Sequence, residues 1–218
     1  MKVSESAVKT QILDFCRRLN QRGWLASADG NISYRFTNEN ILITPTGINK
    51  AFMKAKDFAK ISLSNKVKRG NPSSERLMHL EVFKKCPDAR AVIHAHPPTA
   101  IAWTLAHPKW AELPCDSLSE GILALGSIPI VSYQRPGSLE MGSALRPWLP
   151  QRRALILARH GVICWGETLE EAYNGVERLE AISIILWKAA SLGPLHPLPA
   201  EEIEYLQSLR KKLGDRIL

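Results

Sequence analysis

Long apolar runs are missing from this chain. No stretch approaches ~18 consecutive apolar residues, so no transmembrane helix is expected. The opening MKVSESAVKTQILDFCRRLN holds no apolar core followed by a small-residue cleavage site, so no secretory signal is expected either. Cysteine is sparse: Cys16, Cys86, Cys115 and Cys164 lie far apart and form no C-x-x-C. That excludes a zinc knuckle and a thioredoxin-type pair, and leaves four free buried thiols in a reducing cytoplasm. Neither G-x-x-x-x-G-K-[ST] nor G-x-G-x-x-G occurs, so the two commonest nucleotide-binding fingerprints are absent. No segment repeats. No long run of one charge sign occurs, although Lys and Arg outnumber Asp and Glu, 29 to 21. The bases scatter into short clusters such as Arg17-Arg18, Lys66–Arg69 and Arg152-Arg153, without a nucleic-acid-binding signature. Neither nucleic acid nor membrane is therefore expected as a partner. The net charge of +8 speaks only of attraction to anions.

What is present suits one packed domain. A chain of 218 residues with 45% hydrophobic content can bury its own core, and one domain is expected over residues 1–218. Helical spacing of Ala7, Val8, Ile12, Phe15 and Leu19 predicts a helix over 4–22, stopped by Gly23. Alternation through Ile32, Tyr34 and Phe36, repeated in NILITPTG, predicts a hairpin. Further helices are expected over 54–60, after Ser73-Ser74, over 99–106 and over 138–149. Strands are expected at ISLSNKVKRGNP, RAVIHAH, SIPIVSY and ALILARHGVICWG. Thr168 with Glu171 spells a capping box before a long helix. Its apolar positions 172, 173, 176, 179, 182, 185 and 186 fit one face, Gly193-Pro194 ends it, and AEEIEYLQSLRKKLG reads as the terminal helix. Helices mixed with hairpins point to an α/β domain around a predominantly antiparallel sheet.

The strongest local chemistry is His94-Ala95-His96. Strand residues i and i+2 share a face about 7 Å apart, so two imidazoles can converge on one cation. His160 ends another apolar run and precedes a glycine, which makes it a third candidate ligand. Three histidines leave an open position, as catalytic zinc requires. Glu75, in the first turn of its helix, can complete the set as ligand or base. His79, one turn on, reads as structural, and His107 and His196 as solvated loop residues. Gly30-Asn31, Thr46-Gly47 and Ser73-Ser74 offer backbone N–H groups and hydroxyls to an anion.

The motifs GNIS, ITPTG, PSSE, AVIHAH and HG before a long helix, in that order, resemble the class II aldolase/adducin family. The resemblance runs from about residue 5 to about residue 214. It implies a single three-layer α/β/α-like domain with a central, predominantly antiparallel sheet. It implies a cyclic homotetramer whose active sites lie between neighbours. It implies one Zn²⁺ per subunit on His94, His96 and His160, with Glu75 as ligand at rest and acid/base in turnover. Gly30, Asn31, Thr46, Gly47, Ser73 and Ser74 would then hold the phosphate of a ketose 1-phosphate such as L-fuculose 1-phosphate. Cleavage through a metal-stabilised enediolate would give dihydroxyacetone phosphate and an aldehyde. The chain departs from the family in its tyrosines: Leu213 stands where a tail tyrosine is expected, and Tyr133, Tyr205 and Glu120 are the available substitutes. Relatives in the same superfamily dehydrate 5-methylthioribulose 1-phosphate, epimerise pentulose phosphates, decarboxylate sugar-acid phosphates, or serve as non-catalytic adducin-like modules. Asp usually stands at the Glu75 position in the epimerases, whereas the dehydratase retains a glutamate there and is the second expectation after the aldolase. Retention of Glu75 with all three histidines argues against a module.

Overall fold

The first helix ends where its glycine stands. Helix α1 (Glu5–Gln21) starts with Ser4 Oγ accepting from Ala7 N at 3.2 Å, and Gly23 follows at φ +76°. The computed structural model describes residues 3–214 and 216–217. After α1 come strands β1 (Asn31–Thr37), β2 (Asn40–Ile43), β3 (Ala59–Ile61) and β4 (Val67–Arg69). Helix α2 (Arg76–Lys85), strand β5 (Ala91–Ala95) and helix α3 (Pro98–Ala106) follow. Then come β6 (Glu112–Leu113), α4 (Ser119–Ala124), β7 (Ile128–Val131), α5 (Leu139–Ser143), β8 (Ala154–Leu157) and β9 (Gly161–Gly166). Helices α6 (Leu169–Leu192) and α7 (Ala200–Lys212) complete the order.

The strands form one sheet in the order β4-β3-β2-β1-β5-β9-β8-β7-β6. Every pairing is antiparallel except β7 with β8. The sheet carries a core on each face, because alternate strand residues point to opposite sides. Ile32, Ala91, Ile93, Ala95, Val162 and Cys164 pack with α1 and α6, while Val92, Leu155, Ile163 and Trp165 pack with α2 and α5. The three-layer, predominantly antiparallel expectation holds. All four cysteines are free and buried, and burial pushes the thiols of Cys16, Cys86 and Cys115 up to about 12. No described helix is long and apolar enough to cross a membrane.

Three local expectations need correction. Residues 54–60 form no helix: Asp57 closes a turn onto Lys54 N at 2.7 Å, and Phe58 and Ala59 enter the core beside β3. The helix expected over 138–149 breaks into α5 and a 3₁₀ turn at Arg146–Trp148, since Pro147 has no N–H to continue it. In α6, Ile185 faces outward at 48% exposure, while Glu171, Glu180 and Ser183 turn inward. The inward polar groups have partners. Thr168 Oγ1 accepts from Glu171 N at 3.0 Å, as a capping box requires. The Glu180 carboxylate accepts from Thr99 N and Ala100 N, each at 2.9 Å, and so caps α3 from the helix packed beside it.

A buried cation fastens α2 to the sheet. Arg35 on β1 donates to Phe83 O at 2.8 Å, Cys86 O at 3.2 Å, Ala89 O at 2.5 Å, and also to Pro87 O. These are carbonyls at and beyond the C-terminus of α2, where intrahelical donors run out. Arg35→Met leaves four carbonyls without this donor, and a loss of about 2–4 kcal/mol in unfolding free energy is expected from denaturant titration.

Candidate metal centre and active site

Strand pairing assembles the site. His94 sits opposite Asn31 on β1 and opposite Ile163 on β9, at the end of β5. The β8–β9 hairpin turns through Arg159 at φ +60°, with Arg159 N donating to buried Thr104 Oγ1 at 2.9 Å, and this presents His160 to the same edge. Pro97 ends the strand and α3 begins at Pro98, so His96 lies in the tight junction between them.

The three imidazoles converge. His94 Nε2 lies 2.9 Å from His96 Nε2 and 3.1 Å from His160 Nε2. Glu75 Oε1 is 3.0 Å from His160 Nε2, and Oε2 is 3.4 Å from His94 Nε2. Ligand atoms of a tetrahedral zinc site with bonds of about 2.0–2.1 Å are spaced about 3.3 Å apart. The donor set thus has the size and the chemistry for one divalent ion. His94 Nδ1 donates to Val162 O at 2.8 Å, which fixes the tautomer and leaves Nε2 as a lone-pair donor. Burial pushes His94 down to about 3 and lowers His96 as well, so both offer neutral imidazoles near pH 7. His96 Nδ1 faces Asp29 Oδ2 at 3.5 Å.

Glu75 is held from the opposite side. Burial alone would raise its carboxyl; His94, His160 and the Asn31 hydrogen bond outweigh it and hold the group well below the usual range. Asn31 Nδ2 donates to Glu75 Oε2 at 2.8 Å, and Asn31 Oδ1 accepts from His79 Nε2 at 2.5 Å. His79 Nδ1 then accepts from Ser33 Oγ at 2.7 Å. His79 is wholly buried, burial pushes it down to about 4, and its structural reading holds. Glu75 is not inside the helix: it occupies the N-cap at φ −90°, ψ 10°, with Ser73 Oγ accepting its N–H at 3.2 Å. The carboxylate leaves the helix start and reaches the histidines.

The three small-residue clusters are neighbours in space. Thr46 N donates to Asn71 O at 3.1 Å, Ser73 N to Thr44 O at 3.2 Å, and Pro45 bridges Pro72. Thr44 Oγ1 accepts from Ile32 N at 3.1 Å, which joins this pair to the Gly30-Asn31 turn. Gly47 and Ser74 are exposed, whereas Ser73 is buried. Gly30 needs its missing side chain: at φ +64° a Cβ would meet Leu25 Cδ2 at 2.2 Å and His94 O at 2.8 Å. Outside the site, His196 is exposed as expected, but His107 is half-buried and stacked on Trp110 with centroids 3.9 Å apart. Glu120, Tyr133 and Tyr205 are exposed. The Val162 carbonyl, Asp29 and Thr104 were not legible as site components, because none belongs to a ligand-type pattern.

Gly161 is a close-packing point of the site. A Cβ there would lie 2.5 Å from Ala95 O, 2.7 Å from His96 Cδ2 and 2.9 Å from His94 Cε1. Gly161→Ala is expected to displace both rings and weaken metal binding by about tenfold or more, read by competition with a chromophoric chelator.

Residues 10–187 match the family described as Class II Aldolase and Adducin N-terminal domain. A relative named L-fuculose phosphate aldolase, from Methanocaldococcus jannaschii, is 33% identical over 172 residues, covering 79% of this chain and 91% of the relative. A relative named 3-oxo-tetronate 4-phosphate decarboxylase, from Escherichia coli K12, is 28% identical over 210 residues, covering 94% of this chain and 97% of the relative. A solved structure titled L-fuculose 1-phosphate aldolase superposes with a TM-score of 0.85 at 28% identity, covering 96% of this chain and 99% of that one.

Proposed function

Because the chain belongs to the Class II Aldolase and Adducin N-terminal domain family, we propose that it is a zinc-dependent aldolase acting on a ketose 1-phosphate. The products are dihydroxyacetone phosphate and an aldehyde, and L-fuculose 1-phosphate represents the substrate class. The observation that supports this most is the triad of His94, His96 and His160 closed by Glu75 at 3.0 and 3.4 Å.

His94, His96 and His160 would hold one Zn²⁺ per subunit. When bound, the ion supplies Lewis-acid stabilisation of the negative charge that develops on substrate oxygens. Glu75 carries the proton chemistry. In cleavage, the hydroxyl of the departing fragment loses its proton as it becomes the aldehyde. The carbon–carbon bond breaks with its electron pair staying on the phosphate-bearing fragment. Glu75, ionised at rest and protonated by that released proton, returns it to the carbon. In condensation, the Glu75 carboxylate removes the same proton. Asn31 and His79 orient Glu75 in the resting site. Once substrate displaces Glu75, Asn31 Nδ2 is freed as a donor. It then joins Gly30, Thr46, Gly47, Ser73 and Ser74 around the phosphate. A cytoplasmic homotetramer with sites shared between neighbours is part of this reading, and its solution mass tests the assembly.

Two observations favour a second reading, decarboxylation of a 3-oxo acid phosphate. The Escherichia coli relative aligns over 94% of this chain. Tyr133 and Tyr205 are exposed at 56% and 62%, so neither stands in the subunit as a buried acid for an aldehyde oxygen. Carbon dioxide leaves without a proton to return, and the same Glu75 step follows. The protein with its metal should be incubated separately with L-fuculose 1-phosphate, 3-oxo-tetronate 4-phosphate and 5-methylthioribulose 1-phosphate. Release of dihydroxyacetone phosphate from the first is the expected result. Carbon dioxide from the second alone assigns the decarboxylase, and water loss from the third without cleavage assigns a dehydratase. No turnover of any removes the sugar-phosphate lyase reading.

A further inference from the structure

Lys50 is a buried cation that makes no ion pair among the described residues. The residue is 2% exposed, and among those residues its ammonium donates to Ala28 O at 2.8 Å and Ile48 O at 2.9 Å. An ammonium has three N–H donors, so one is left over. Burial lowers its pKa, while Cys16, Asp29 and Glu75 act in the opposite sense. Holding two carbonyls together needs only a neutral donor. Removing a full charge from water with no carboxylate in ion-pair contact is unfavourable, which makes a buried group of that kind a candidate for a functional role.

The two carbonyls say where the charge is used. Ala28 stands two residues before Gly30 in the turn that leads to Gly30-Asn31. Ile48 follows Thr46-Gly47 directly, and Asn49 Oδ1 fixes the next turn by accepting from Ala51 N at 2.9 Å. One ammonium therefore ties together the two glycine turns of the phosphate reading. The groups those turns offer are backbone N–H, amide and hydroxyl, all neutral. The nearby cation Arg76 is committed to Asn65 Oδ1 at 2.7 Å and Ser73 O at 3.2 Å.

We propose that Lys50 is the counter-charge of the phosphate site: a positioning residue that pins both glycine turns and whose unneutralised ammonium draws a phosphate dianion to their neutral donors. The inference rests on the phosphate reading given above and adds the source of its charge selectivity.

Inorganic phosphate should be titrated calorimetrically into the metal-loaded wild type, Lys50→Met and Lys50→Arg, with thermal unfolding recorded for each. Lys50→Met is expected to weaken phosphate binding on the order of tenfold, the scale for one charge acting across roughly 12 Å at an effective dielectric of about 20. It should raise KM for the ketose phosphate by a similar factor and leave kcat nearly unchanged. Its unfolding midpoint should stay level or rise, since an unpaired buried charge is replaced by an apolar chain of similar length. Lys50→Arg should recover most of the phosphate affinity. Unchanged phosphate affinity in Lys50→Met overturns the proposal. So does a joint fall of affinity and midpoint in both variants, which marks a purely structural pin. If Lys50→Met does not fold, Lys50→Gln carries the same comparison. A wild type that binds no phosphate overturns the phosphate reading itself, whereas binding that is indifferent to Lys50 overturns only this inference.

Discussion

His94→Ala is expected to empty the site of metal and abolish turnover together. Plasma emission analysis should fall from about one divalent ion per chain to near zero, and kcat/KM should drop at least ~10³-fold, because charge stabilisation at the reacting oxygens is lost. The reason lies in the placement of the ring. His94 is wholly buried, its Nδ1–H is spent on Val162 O at 2.8 Å, and its Nε2 is the nitrogen shared by the short contacts to both His96 and His160. A water cannot take that position with the same lone pair in the same direction. His160→Ala should behave alike, and the double variant should be scarcely worse than either single one, since the ligands act as a unit. Circular dichroism of each variant separates this from unfolding. Retention of a full equivalent of metal and of activity by His94→Ala would falsify the triad assignment.

Glu75→Gln is expected to do the opposite with the metal: retain it and lose the chemistry. The three imidazoles remain, so metal content should stay near that of the wild type. The amide neither accepts nor returns a proton, so kcat should fall about 10²–10⁴-fold with a much smaller change in KM. The Asn31 and His160 contacts at 2.8 and 3.0 Å explain why charge is stable on this carboxylate despite burial. They are also the contacts substrate must compete with before Glu75 can take part in proton transfer. Steady-state kinetics with parallel metal analysis decides the matter; an unimpaired Glu75→Gln removes the residue from its role.

These two substitutions could be chosen from the chain itself. His94 and His96 are two apart at the end of a β-branched run, and although β5 stops at Ala95, the extended chain carries His96 to the same side. His160 before Gly161 and Glu75 after two serines were legible for the same reason: residue type and local spacing. The α1 stop, the α6 cap and the predominantly antiparallel sheet also followed from short-range patterns. The β1 alternation did not mark its buried face, since Ser33 and Arg35 are buried and Tyr34 and Phe36 only half-buried. The helix expected at 54–60 failed because a core face claimed Phe58 and Ala59 for the sheet, and burial overrode local preference.

What the fold alone decided is the set of partners. Asn31 looked like an anion donor by composition, and only the β1–β5 pairing and the packing of α2 put its amide between Glu75 and His79. Glu180 reads as an ordinary helix-face acid until α6 lies beside α3, where it caps Thr99 and Ala100. Arg35 and Lys50 read as two of the 29 basic residues on a solvated surface, yet one holds the end of α2 and the other two glycine turns. The chain by itself determined which side chains can bind a metal, move a proton or offer an N–H, because those are properties of residues and their nearest neighbours. Tertiary structure determined which of them meet and which charges lose their water, because hydrogen bonding and desolvation depend on contacts between residues tens of positions apart.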